Sequence, residues 1–303
     1  MKIVAALGGN ALLARGEPPD ADIQEHHVLD AVRALAPLAK RHRLVITHGN
    51  GPQVGLLALE SERDPSLRRP YPFDALGAQT QGMIGYWLVQ ALGNEAHVDA
   101  ACLVCRTVVR ADDPALTNPT KFVGPVYDRP TAHRLAAERG WRVRPDGPSW
   151  RRVVPSPEPA ELVELPLIEL LTERGTTVVC AGGGGIPVTR DATGRLDGVE
   201  AVVDKDLTAG LLAHAIDADA LLLLTDVDAV YDQYGTARAT AIRRATAGHL
   251  LGRSFPAGSM APKIEAACRF VDAGGRLAAI GRLDDAERLL TGDTGTTITH
   301  GDG

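Results

Sequence analysis

The chain carries five lysines against 27 arginines. With arginine used almost everywhere a cation is wanted, the few lysines stand out. Three of them, Lys121, Lys205 and Lys263, lie in polar, loop-like strings: NPTK, DKD and GSMAPK. Arginine presents a broad planar fork, whereas lysine is a compact charge on a flexible stem. A site that must set a small cation beside a moving phosphoryl oxygen favours lysine. Lys2 and Lys40 read as ordinary surface residues. Asp204 and Asp206 flank Lys205. Asp206 reads as an N-cap of the helix that follows or as a carboxylate that holds ammonium groups in place; the two roles are compatible.

Three glycine-rich strings each follow an apolar run. They are LGGN with Gly8, Gly9 and Asn10; HGNGPQVG with Gly49, Asn50 and Gly51; and GGGGIP with Gly182 and Gly183. A strand that ends in glycines before a helix lets backbone N–H groups approach an anion, and the helix dipole adds to the attraction. Pro52 suits a first helical turn. One such turn is weak evidence, because tight α/β connections also need glycine; three at one sheet edge converge on a single place. None matches G-x-x-x-x-G-K-[ST], and none opens a dinucleotide fingerprint. His48 reads as a hydrogen-bonded loop histidine rather than a general base. The string LLLLTDVDAVYD is a buried strand running into an acidic loop. Thr225, Asp226, Val227, Asp228 and Tyr231 are placed there to meet a ribose or a base, with a solvated turn as the plain alternative. Gly258, Ser259 and Met260 lead to Lys263, which stands at a helix start and can face nucleotide phosphates.

These residues need a scaffold that gathers them. Apolar runs at Lys2–Leu7, Leu44–Thr47, Ala101–Val109, Thr177–Ala181, Ala220–Leu224 and Leu277–Ile280 predict buried strands, with Thr296–Thr299 as a closing strand. Helix-period stretches at Val28–Lys40, Gln53–Glu60, Ala160–Arg174, Leu207–Ile216 and Lys263–Val271 lie between them. Such alternation predicts an α/β fold with a mainly parallel sheet covered on both faces. Right-handed crossovers then bring the strand C-termini to one edge. Residues 112–158 break the pattern: Pro114, Pro119, Pro125, Pro130, Pro145, Pro148, Pro155 and Pro157 occur with Trp141 and Trp150. This segment reads as a small packed lid inserted in a single domain over 1–303, so Lys121 reaches the site only on closure. Cys102 and Cys105 form C-x-x-C inside an apolar string and read as buried or half-buried thiols. A net charge of −6 argues against a nucleic-acid partner. No apolar run approaches the ~20 residues of a membrane span, and a cytoplasmic location is expected.

At these strings the sequence resembles the carbamate kinases of the amino acid kinase superfamily. ALGGNAL, HGNGPQVG, TQGMIGYWL, DPALTNPTK, GWRVRPDGPSWRRVVPSP, GGGGIPV, GVEAVVDKD, TDVD and FPAGSMAPKIEAA occur in the family's order along nearly the whole chain. The resemblance implies a three-layer α/β/α sandwich on a central, mostly parallel open sheet of about eight strands, with a protruding lid. It implies reversible transfer between ATP and carbamate: ADP plus carbamoyl phosphate gives ATP plus carbamate, with Mg2+. It implies a homodimer, with the N-terminal half on the carbamate side and residues from about 200 onward on the nucleotide side. By position Lys121, Lys205 and Lys263 match lysines that contact the transferring phosphate and the nucleotide, and Asp206 matches the aspartate that organises them. Gly8, Gly9, Asn10 and residues 49–51 match the loops around carbamate. Ala6 stands where acetylglutamate and UMP kinases carry a lysine, and the lid Lys121 supplies that charge. No metal-binding side chain is assigned. Phe122-Val123 replaces the family's usual Pro-Ile, and Asp226 replaces a frequent glycine. Another small-anion kinase on this scaffold, or a nucleotide-sensing module without catalysis, are the rival readings.

Overall fold

The computed structural model describes residues 1–14, 16–255 and 260–301. The N-terminal part runs β1 (Lys2–Leu7), α1 (Ala21–Arg41), β2 (Arg43–His48), α2 (Gly51–Arg63), α3 (Phe73–Ala91), β3 (Ala100–Cys102) and β4 (Arg106–Val109). The lid holds β5 (Lys121–Tyr127), α4 (Arg129–Arg139), β6 (Arg142–Asp146) and β7 (Ser149–Val154). The chain returns through β8 (Pro159–Leu162), α5 (Leu165–Glu173), β9 (Thr177–Val179), β10 (Ile186–Arg190) and β11 (Leu196–Gly198). It continues with α6 (Lys205–Ala215), β12 (Ala220–Thr225), β13 (Val230–Asp232), β14 (Thr240–Ile242), β15 (Arg244–Thr246) and α7 (Ala247–Leu251). It closes with α8 (Met260–Asp272), β16 (Leu277–Arg282), α9 (Ala286–Thr291) and β17 (Thr296–Thr299).

The eight-stranded central sheet has the order β15-β17-β16-β12-β1-β2-β9-β3. β15 and β17 run opposite to the other strands. β1 explains the layering. Ile3, Ala5 and Leu7 pack into one apolar cluster with α1, α3 and α9, whereas Val4 and Ala6 join another with α5, α6 and α8. Successive strand residues point to opposite faces, so a strand covered on both sides is apolar throughout. β1 pairs with β2 on one side and β12 on the other. The order therefore reverses direction at β1, which is where open α/β sheets hold ligands.

Two expected elements are corrected. Ala101–Val109 is two strands in two sheets: β3 ends the central sheet, and β4 joins a four-stranded sheet of order β11-β10-β4-β8. The break is fixed by Gln81 of α3, which accepts the Cys105 N–H at 2.8 Å and donates to its carbonyl at 3.1 Å. Ala160–Arg174 likewise splits, because Pro159–Leu162 pairs with β4 as β8 and the helix starts only at Leu165. The thiols behave as expected, Cys102 half-buried and the others buried. Lys2 is more than a surface residue: its ammonium donates to the Ile216 carbonyl at 2.5 Å, at the C-terminal end of α6.

The lid is a three-stranded antiparallel sheet of order β5-β7-β6 with α4 against it. Its sequence sets α4 cleanly. Asp128 caps the N-terminus by accepting from Thr131 N–H at 2.7 Å, Pro130 occupies the first turn, and Gly140 ends the helix in the left-handed region. The base of the lid is clasped by Asp113. One carboxylate oxygen accepts from Ala115 N–H at 2.8 Å and the other from Glu158 N–H at 2.8 Å, so the outgoing and returning strands are held together.

Candidate active site

The turns that follow β12, β1, β2 and β9 meet along one edge of the central sheet and frame a cleft of about 550 Å³. Each turn is tied to its neighbour: Gly8 N–H donates to the Leu224 carbonyl at 3.0 Å, and Gly49 N–H to the Leu7 carbonyl at 3.0 Å. A Cβ on Gly49 would lie 2.9 Å from the Gly9 nitrogen, so the two turns touch only because Gly49 carries no side chain. Gly183 adopts φ +64°, and a Cβ there would overlap the Asn50 amide. Asn50 is anchored from below by Thr80 of α3 at 2.8 Å. Gly8, Gly9, Asn10, Gly49, Asn50, Gly51 and Gly183 all line the cleft. Gly182 does not; it lies under the floor against His48 and Gln81.

The cationic side is built on helix starts. Lys205 is the first residue of α6, and Lys263 lies in the first turn of α8. Asp206 joins them: its two carboxylate oxygens accept from the Lys205 ammonium at 2.6 Å and the Lys263 ammonium at 3.1 Å. Burial works to raise the Asp206 carboxyl, but the two ammonium groups outweigh it and hold it at about 2. Burial lowers the Lys205 ammonium, with Asp206 opposing and Lys263 adding repulsion. Two cations on one carboxylate leave a net positive charge in a nearly dry place, which an incoming phosphate would neutralise.

The N-cap of α6 is Asp204, not Asp206. Asp204 Oδ1 accepts from the N–H groups of Asp206 and Leu207 at 2.9 and 3.4 Å. Its Oδ2 accepts from the lid Lys121 ammonium at 2.5 Å. Asp206 sits two residues too far in to cap, so its carboxylate is left for the lysines. Asp204 is the cleft residue that sequence reading passed over. The signal was present, since an aspartate three residues before the first apolar residue of a helix, here Leu207, is a capping pattern.

The nucleotide-side candidates divide. Thr225, Asp226, Val227, Tyr231, Met260 and Lys263 line the cleft, and Ala229, Tyr234 and Phe255 extend an apolar end able to take a flat ring. Asp226 accepts from the Asn10 amide at 2.9 Å, which ties this loop to the first glycine turn. Asp228 is turned away: it accepts from the Tyr231 hydroxyl at 2.7 Å and from Arg243 at 3.0 Å. Gly258 and Ser259 lie outside the described residues. His48 is buried, and burial lowers its ring to about 4. Nδ1 donates to the Gly49 carbonyl at 3.0 Å, so the ring is a neutral prop for the turn. Among the described residues no cluster of three or more His, Cys, Asp or Glu could hold a metal ion.

A doubly ion-paired aspartate beside stacked glycine turns is what the family comparison joins. The description "Amino acid kinase family" matches residues 1–281. The chain belongs to the amino acid kinase family. A carbamate kinase of Rhizobium meliloti (strain 1021) is 50% identical, covering 99% of this chain and 93% of the relative. One from Escherichia coli (strain K12) is 47% identical over 98% of this chain and 99% of its own. The crystal structure of carbamate kinase from Giardia lamblia bound to AMP-PNP superposes with a TM-score of 0.90 at 37% identity, covering 99% of this chain and 98% of that one. By fold alone the chain is also similar to an isopentenyl phosphate kinase from T. acidophilum, with a TM-score of 0.54 at 14% identity.

Proposed function

We infer that this chain is a carbamate kinase, moving a phosphoryl group reversibly between ATP and carbamate. The reading rests on one observation above all: Asp206 gathers Lys205 and Lys263 at the mouth of the glycine turns, in a chain 50% identical to a carbamate kinase. In the direction of ATP formation, an oxygen of the ADP β-phosphate attacks the phosphorus of carbamoyl phosphate. The new P–O bond forms as the bond to the carbamate oxygen breaks, and carbamate leaves as an anion. Both partners are negatively charged, so the protein must mainly position them and suppress their repulsion. In this reading Lys121 and Lys205 flank the transferring group and Lys263 holds nucleotide phosphates. The turns at Gly8, Gly9, Asn10 and residues 49–51 donate N–H bonds to the carbamate side. Thr225, Asp226, Val227, Tyr231 and Met260 line the nucleotide side. Asp206 keeps two lysines charged and aimed. No general base is needed, because carbamate is already an oxyanion.

Magnesium fits this site as a companion of the nucleotide. It favours phosphates and water with one or two carboxylates over an all-protein cage. Among the described residues, Asp204, Asp206 and Asp226 are the carboxylates that line the cleft; the first two face lysines, and Asp226, which faces the Asn10 amide, would be the one to approach the ion. When bound, the ion would neutralise phosphate charge. A homodimer is also proposed, since exposed Tyr86, Val104, Leu167 and Leu170 lie on or beside elements at the β3 end of the sheet; light scattering at micromolar concentration tests it. The deciding assay is ATP formation from ADP and carbamoyl phosphate, with and without Mg2+. Nucleotide binding without turnover on carbamoyl phosphate would overturn the reading.

A further inference from the structure

Glu62 lies near the C-terminal end of α2, whose first residues, Gly51 and Pro52, line the cleft. Its side chain is 9% exposed, and lid residues surround its carboxylate. Arg139 pairs with one oxygen at 2.5 Å, and Arg152 pairs with the other at 2.9 Å. The Trp141 indole N–H donates to that second oxygen at 3.1 Å. Arg152 is held flat as well, its guanidinium 4.7 Å from the Trp141 ring centroid and 4.9 Å from that of Phe73 in α3. Charge-assisted bonds to a buried carboxylate are among the stronger protein hydrogen bonds. The apolar contact beneath is small, built on Val54, Ala58 and Phe73 of the body with Val123 and Val154 of the lid. Such a patch attracts without fixing register; the three donors on Glu62 fix it.

The same docking reaches Lys121 over a short path. In the lid sheet Arg152 stands opposite Val123, two residues from Lys121. α2 and β5 meet where Gly55 faces Gly124: a Cβ on Gly55 would lie 2.8 Å from the Gly124 Cα. Lid and helix are thus in backbone contact beside the residue that carries the ammonium to Asp204. Glu62 itself touches neither the cleft nor any reacting group.

We propose that Glu62 is a positioning residue for phosphoryl transfer: it anchors the lid on α2 and so sets the Lys121 ammonium in the cleft. This rests on the carbamate kinase reading for its kinetic consequence, but the docking is measurable without it. The test uses Glu62→Ala and Glu62→Gln in the full chain, each alone and combined with Lys121→Ala. Initial rates of ATP formation and amide hydrogen exchange are both read. Glu62→Ala should lower kcat/KM by about 10- to 100-fold, the scale of a misplaced reacting partner. In the Lys121→Ala background it should cost less than about twofold, because coupled groups are not additive. Lid amides in β5, β6 and β7 should exchange faster, with those of β1, β2 and β12 unchanged. Glu62→Gln, which still accepts from Trp141, should recover part of both effects and serves if the alanine variant folds poorly. Equal losses in both backgrounds, or lid amides that exchange at the wild-type rate, would overturn the proposal. A wild-type chain without turnover would sink the functional reading instead, and the exchange experiment would still judge the anchor.

Discussion

Replacing Lys205 separates charge from shape. Its ammonium lies 2.6 Å from Asp206, and 14% of its side chain is exposed. Its Cδ would be 3.4 Å from a Cβ at Gly49, so the stem runs tightly past the second glycine turn. Losing one preorganised donor aimed at developing charge costs about 10²–10³ in rate, or about 2.7–4 kcal/mol. Lys205→Ala should fall in that range in kcat. Lys205→Arg keeps the charge, but a planar guanidinium cannot follow the same path without displacing Gly49 or Asp206. A shift of about 1 Å is enough for a loss of about 10²-fold, so arginine should be nearly as poor as alanine. Folding should survive, because Asp206 retains Lys263 at 3.1 Å. The assay is ATP formation from ADP and carbamoyl phosphate, read through an ATP-consuming indicator reaction, with thermal melts alongside. Near wild-type turnover in Lys205→Arg would refute the reasoning from lysine geometry.

Asp206→Asn should cost about 3–5 kcal/mol of stability at neutral pH, because two buried ammonium groups lose the negative charge between them. The Asp206 carboxyl lies at about 2 against an ordinary 3.8. A depressed folded pKa means stability that is present above the unfolded value and lost as pH falls through the folded one. The wild-type advantage over Asp206→Asn in denaturant titrations should therefore shrink by about 2 kcal/mol as pH falls from about 4 to about 2. Asp204→Asn keeps an acceptor for the α6 cap but loses the charge facing Lys121, so turnover should drop with little change in Tm. Asp204→Ala should add a stability loss of about 1 kcal/mol; equal melts for the two variants would contradict the cap. Gly49→Ala pushes a methyl toward the Gly9 nitrogen and should cut kcat/KM for carbamoyl phosphate by about 10²-fold, with ADP affinity by calorimetry nearly unchanged.

How much of this was legible follows from the range of each interaction. The glycine turns, Lys205 and Lys263 were readable because local sequence places each at the end of a strand or the start of a helix, and Lys121 because NPTK opens the proline-rich lid. What drew them together, the parallel order of β12, β1, β2 and β9, was implied by strand–helix alternation. The division of labour between Asp204 and Asp206 was not readable from D-K-D alone. It depends on where α6 begins, and a shift of two residues turns a capping carboxylate into an ion-pairing one. The strand at 101–109 was misread because its apolar run is continuous, while the break is imposed from α3 by Gln81. Glu62 gave no signal, since its partners come from 77, 79 and 90 residues away. The apolar excess of 160–174 hid a short strand for the same reason: its partner β4 is distant in sequence.

The four turns that frame the cleft follow neighbouring strands without interruption. Adjacent strands lie about 4.8 Å apart, so the row spans about 14 Å. The backbone ladder therefore acts as a ruler: the gap between donor and acceptor is graduated in strand widths, and side chains only trim the remainder. Layer substitutions that leave the ladder alone cannot alter that gap. A strand inserted between β12 and β1 would widen it by about 5 Å, more than any lysine could bridge while keeping two phosphorus ligands in line.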